Sequence, residues 1–168
     1  AFLAIPDLRA EVTERGQVYG YRLLTQIERG PTDAAEAELA AGARLLDLTC
    51  LHSADSIPLA LERRLIGLKA APQAIAVDFS RVSPGSWLLE SEPWTEAENR
   101  IGAMGADAQS ARLLQIKRGA ACLCVERRTW RDGLGVTQVR QVFPGDRYDL
   151  VALFSSARSG GRGGEPRR

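Results

Sequence analysis

The sequence predicts an α+β fold built on a largely antiparallel sheet. Two observations carry this. Strand-patterned segments come as pairs closed by short turns, and helix-patterned segments lie between those pairs rather than forming parallel crossovers. Taking the elements in order, IPDLRAEVTERG (5–16) patterns as a short helix. Asp7 is placed to cap it, Leu8 and Val12 share a face at i, i+4, and Gly16 suits the residue past its end. VYGYRLLTQIERG (18–30) reads as a strand, and PTDAAEAELAAGA (31–43) as a helix. In the helix, Asp33 and Glu36 stand at capping-box spacing and Gly42 is a stop signal.

RLLDLTCLH (44–52) and IPLALERRLI (57–66) pair as a hairpin about Ala54-Asp55-Ser56. Its register decides which side chains meet. An odd-numbered turn pairs position 52 with 60 and 50 with 62, and all four then point the same way. A two-residue turn sends His52 to the face opposite Glu62. Residues 67–92 read as irregular, with short helical turns near AIAVDF and SWLLES, and 93–105 fits either strand or helix. DAQSARLLQIKR (107–118) is a helix capped by Asp107 and ended by Gly119. CLCVERRTW (122–130) and GVTQVRQVF (135–143) make a second hairpin about Asp132-Gly133, and DLVALF is expected as a last strand.

The 168 residues suit one domain, or at most two very small ones, and 45% hydrophobic with 26% charged residues is an ordinary globular balance. Net charge is +1. The tail SSARSGGRGGEPRR (155–168) holds four Arg against one Glu, so it contributes +3 and leaves −2 for the body. A body of that charge is not a basic nucleic-acid platform. The tail is too poor in apolar groups to offset its ordering entropy and is expected to be disordered. No run approaches the ~20 apolar residues of a membrane span. Signal-peptide features are missing, Met104 is the single Met, and the chain is expected to be a fragment. Three cysteines without a secretory signal fit a reducing cytoplasm.

His52 is the single histidine, so every His-based acid–base scheme has to run through it. Neither a G-x-S-x-G elbow nor a phosphate-cradling glycine motif is present. Cys50-x-His52 and Cys122-x-Cys124 would make a tetrahedral zinc set if their strands lay side by side with these residues on one face. Against that, cysteine on a strand is more often a small buried hydrophobe. Arg127-Arg128 with Trp130 fits anion pairing or stacking, or else an ordinary strand with one Arg in and one out. Glu62 and Arg64, on strand periodicity alone, read as an exposed ion pair worth about 0–1 kcal/mol.

The order of the short motifs adds a further reading. ERG (14–16) after a short helix, IPLALERRLI, SPGSWL (83–88), PWTEAE (93–98), RRTW (127–130) and VFPGDRYDLVALF (142–154) occur in one sequence. Together, over about 2–154, they resemble the UTRA effector domain of GntR-type bacterial transcription regulators, in the HutC-like branch of histidine-utilisation repressors. The resemblance implies a chorismate-lyase-like fold with a small-molecule pocket on one side of its sheet. It also implies a cytoplasmic homodimer that is not an enzyme and uses neither cofactor nor metal. Operator DNA would be bound only through a preceding winged helix-turn-helix, which this chain lacks. Residues 1–154 would then be the effector-binding and dimerisation domain. The implied effector is urocanate or a similar small carboxylate. By matching positions, the implied ligand-binding residues are His52, Glu62, Arg64, Ser86, Trp87 and Tyr148. His52 and Cys50 stand where sugar-phosphate-type members carry basic residues, which argues against a phosphosugar. Gly85 and Trp87 depart from the Ser or Asn and the Tyr usual in the family turn. The alternatives are a lyase-type enzyme on the same fold, a sensor of another metabolite, and a dimerisation module without a ligand.

Overall fold

The computed structural model describes residues 7–156. Six antiparallel strands form one sheet in the order β1-β2-β3-β6-β5-β4. The strands are β1 (Tyr19–Arg29), β2 (Leu45–Ala54), β3 (Ile57–Gly67), β4 (Glu96–Gly105), β5 (Ala121–Arg131) and β6 (Leu134–Pro144). The helices are α1 (Leu8–Glu14), α2 (Ala34–Ala40), α3 (Pro84–Ser91) and α4 (Ala108–Leu114), with a 3-10 turn at Pro72–Ala76. The sequence carries no visible repeat, yet the architecture is two βαββ units, β1-α2-β2-β3 and β4-α4-β5-β6, joined where β3 pairs with β6.

Local chemistry explains the element ends. Asp7, Asp33, Ser83 and Asp107 each accept a backbone N–H of the helix that follows. The Glu36 carboxylate accepts from Thr32 N and from Arg29, so the capping-box spacing is used one residue further out. α4 stops at Leu114, before the expected Gly119, because Gln115 takes the left-handed conformation at φ 55°. The ambiguous 93–105 segment resolves as an edge strand, β4. DLVALF forms no strand: residues 151–156 have no regular structure, and Val151, Leu153 and Phe154 are exposed. Its alternation suits a strand, but it pairs with no sheet edge of this chain. Most of the tail expected to be disordered, 157–168, lies outside the described residues.

Each face of the sheet is covered by different helices. On one face α2 and α4 pack Leu39, Ala40, Ala111 and Leu114 against Leu45, Leu61, Cys122, Cys124 and Val142. On the other face α1, α3 and the 3-10 turn form two separate apolar clusters. One gathers Leu46, Leu48, Ile66, Phe79 and Leu88; the other gathers Leu8, Val12, Ala60, Val125 and Phe143. Between those two clusters the face is polar.

Candidate functional site

The polar gap is set by strand register. The β2–β3 turn holds two residues, Asp55 and Ser56, both at positive φ, and Asp55 is pinned by accepting from Val18 N at 2.8 Å. Such a turn alone would put His52 and Glu62 on opposite faces. A bulge prevents this. Ser53 pairs with Pro58 and His52 with Ala60, leaving Leu59 as the extra residue, so Cys50 then faces Glu62. Turn parity is therefore not what sets the register here. Pro58 was the available signal, since a proline within a strand belongs at an end or a bulge.

With that register, β2 and β3 present His52, Glu62 and Arg64 on the same face as Thr137 and Gln141 of β6 and Arg127 of β5. All six are buried. The Glu62 carboxylate accepts from Gln141 Nε2 at 2.7 Å, His52 Nε2 at 3.2 Å and Arg64 Nε at 3.2 Å. Arg64 Nη1 also donates to Thr137 Oγ1 at 3.2 Å. Burial by itself would raise the Glu62 pKa. The charge of Arg64 and the bonds from His52 and Gln141 outweigh it and hold the carboxyl below the usual range. An ionised carboxylate only accepts, so His52 carries its proton on Nε2. Its Nδ1 lies 2.7 Å from the Tyr19 hydroxyl, at hydrogen-bond distance. Burial keeps that phenol protonated by pushing its pKa up.

These groups floor a cleft of about 580 Å³, mouth included, roofed by α3 and the first turn of α1. Arg127 donates through Nε to Asn99 Oδ1 at 2.7 Å, and burial and the charge of Arg64 push its pKa down to about 10. Its Nη groups, and Nη2 of Arg64, make no hydrogen bond to the described residues. Neither set is sealed from solvent. Gly85, in the first turn of α3, lets the helix close on Arg64. A Cβ there would stand 3.2 Å from Arg64 Nη2. Ser86 donates to the half-buried Asp7 at 3.1 Å, tying the starts of α3 and α1 together across the cleft.

Of the six residues singled out from sequence, His52, Glu62, Arg64 and Ser86 line this cleft. Trp87 and Tyr148 lie outside it. Trp87 meets Phe79 edge-on at 5.8 Å in the apolar cluster. Tyr148 stacks on Phe143 at 3.9 Å and donates to Glu11 at 3.1 Å, beneath α1. One helical residue from Ser86, the Trp87 side chain points about 100° away, toward the core. Sequence reasoning missed Gln141, Thr137 and Asp7. It left Arg127 open; Arg127 points in and Arg128 out. Gln141 and Thr137 carry no motif, and only the β3–β6 pairing brings them beside Glu62.

The zinc set is not assembled. Cys50 and His52 face the polar side and Cys122 and Cys124 the opposite side under α4. Burial, with the Glu62 charge, pushes the Cys50 thiol up to about 12, so it is a protonated hydrophobe against Tyr21.

The UTRA domain profile matches residues 14–149. The chain belongs to the UTRA domain family. This UTRA domain is 32% identical over 158 residues to the histidine utilization repressor of Pseudomonas aeruginosa, covering 93% of this chain and 63% of that protein. It is 31% identical over 157 residues to the histidine utilization repressor of Pseudomonas putida, with 92% and 63% covered. The chain thus spans under two thirds of the length of the curated relatives it matches. Among solved structures, the C-terminal domain of the histidine utilization repressor from Pseudomonas syringae pv. tomato superposes with a TM-score of 0.74 at 29% identity. That match covers 83% of this chain and all of that one. The effector domain of PhnF from Mycobacterium smegmatis gives 0.80 at 19% identity, covering 92% and 98%, a likeness of fold alone. The fold of this UTRA domain is accordingly the chorismate-lyase-like one of GntR C-terminal domains.

Proposed function

We propose that this UTRA domain is the effector-sensing half of a cytoplasmic, homodimeric repressor of histidine utilisation, and that its effector is urocanate or a similar small carboxylate. One observation carries the reading. Arg64 and Arg127 are buried in one cleft, close enough for Arg127 to feel the charge of Arg64, with N–H groups that no described residue accepts. A carboxylate between them would relieve that repulsion and gain charge-assisted bonds worth about 1.5–3 kcal/mol each.

Glu62 takes three hydrogen bonds from the protein. In this reading it holds His52 and Arg64 in place, and the half-buried Asp7 on the same cleft accepts the imidazole N–H of urocanate. Because Asp7 caps α1 and is bonded to Ser86, a ligand that engages it acts on the element at the start of the domain. The Pseudomonas syringae match is the C-terminal domain of a repressor, which supports the reading that a DNA-binding part precedes this element in the whole protein. A coupling of about 1–3 kcal/mol between effector and operator is typical of such regulators. Isothermal titration of the chain with urocanate, with histidine and imidazole propionate as comparisons, tests the reading. Saturable heat with the ligand recovered unchanged is expected. No heat and no rise in melting temperature at millimolar urocanate would sink it.

A further inference from the structure

The cleft has two unlike sides. Its floor is the charged network of the sheet. Its mouth carries Leu89 and Trp94, both large, apolar and about two-fifths exposed at 40% and 43%. Trp94 is not on a loose loop. On one side Glu92 is fixed by a 2.6 Å bond from Arg131 and by its own N–H to Leu88 O. On the other, Thr95 N donates to Trp130 O at 2.8 Å, and Thr95 Oγ1 accepts from Asp132 N at 2.9 Å. Pro93 stiffens the single residue left between Glu92 and Trp94. The backbone that carries the indole is therefore pinned at both ends and tethered to the β5–β6 turn. The backbone under the indole is thus preorganised, which lowers the ordering cost of covering the cleft.

Resting on the carboxylate reading above, we propose that Trp94 is a specificity-determining residue. It forms the flat apolar wall against which the body of the ligand stacks while its carboxylate lies between Arg64 and Arg127. The ligand class this favours is a flat, conjugated carboxylate. A flexible saturated chain meets a flat indole with less contact and loses more rotational freedom on binding. A polyhydroxylated ligand would leave hydroxyls unpaired against Leu89 and Trp94.

The test is calorimetry of the whole chain with urocanate and with its saturated counterpart imidazole propionate, in wild type, Trp94→Phe and Trp94→Ala. Wild type is expected to prefer urocanate. Trp94→Phe is expected to keep most of that preference. Trp94→Ala is expected to lose about tenfold in urocanate affinity while imidazole propionate changes little. Trp94 is surface-exposed, so unchanged melting temperatures should accompany these shifts. Urocanate binding with the same preference in Trp94→Ala would overturn the role of Trp94 and leave the carboxylate reading standing. No binding of either compound by wild type would overturn both.

Discussion

The two faces of the sheet are built from alternate residues of the same strands, yet they do opposite things. On the face under α2 and α4, Leu61, Leu114, Cys122, Cys124 and Val142 close into apolar packing. On the other, the intervening positions supply Glu62, Arg127 and Gln141, buried as deeply but joined by hydrogen bonds around a cleft. Burial alone does not make a core. A buried polar group is tolerable only when paired. A network with donors that no described residue accepts, as at Arg64 and Arg127, has room for a ligand to complete it.

That contrast can be broken by substitution. The largest effect is expected from Arg64→Met, which leaves the Glu62 charge without its cationic partner. A loss of about 3–5 kcal/mol in denaturant unfolding is expected, with carboxylate binding abolished. A loss under about 1 kcal/mol would show that the network does not support the fold. On the other face, Leu114→Ala should cost about 2–5 kcal/mol by opening a cavity under α4 while urocanate affinity per folded molecule stays unchanged. Parallel loss of affinity would mean the faces are not independent.

Ser83→Ala, which removes the cap of α3, should cost about 1 kcal/mol and weaken binding more than it weakens the fold, since α3 roofs the cleft. The smallest effect is in pH. Bonds from Arg29 hold the Glu36 carboxyl down at about 2, from an ordinary 4.5. A carboxyl lowered on folding stabilises fully above its unfolded value and loses that contribution as pH falls toward its folded one. Stability should therefore be level above about pH 5 and decline below it. Glu36→Gln should flatten the decline between 4.5 and 2. An unaltered slope would place the titration elsewhere.

Much of the scaffold was legible because its signals are local. Asp7, Asp33 and Asp107 cap the helices they precede, and Asp132-Gly133 turns the second hairpin with both residues at positive φ. Where the reading failed, a local pattern met a non-local condition. DLVALF alternates like a strand but pairs with neither open edge of the sheet, β1 or β4. Gly119 marks a stop signal, yet α4 ends at Leu114, with Gln115 four residues before that glycine as its cap. Trp87 lies one residue from Ser86 and points into the core instead of the cleft.

The sequence by itself determined most of the elements, the antiparallel class and the pairing of Cys50, His52, Ala60 and Glu62 as one of two possible registers. Its motif order also pointed to the family. Tertiary structure decided the rest. The bulge at Leu59 turned His52 to the side of Glu62 despite a two-residue turn. The junction of β3 with β6 then brought Gln141 and Thr137 to the same charge cluster, bonding partners 79 and 73 positions away. Side-chain direction in a strand has a period of two, so one extra residue reverses every contact beyond it. Contacts across strands distant in sequence leave no periodicity to read.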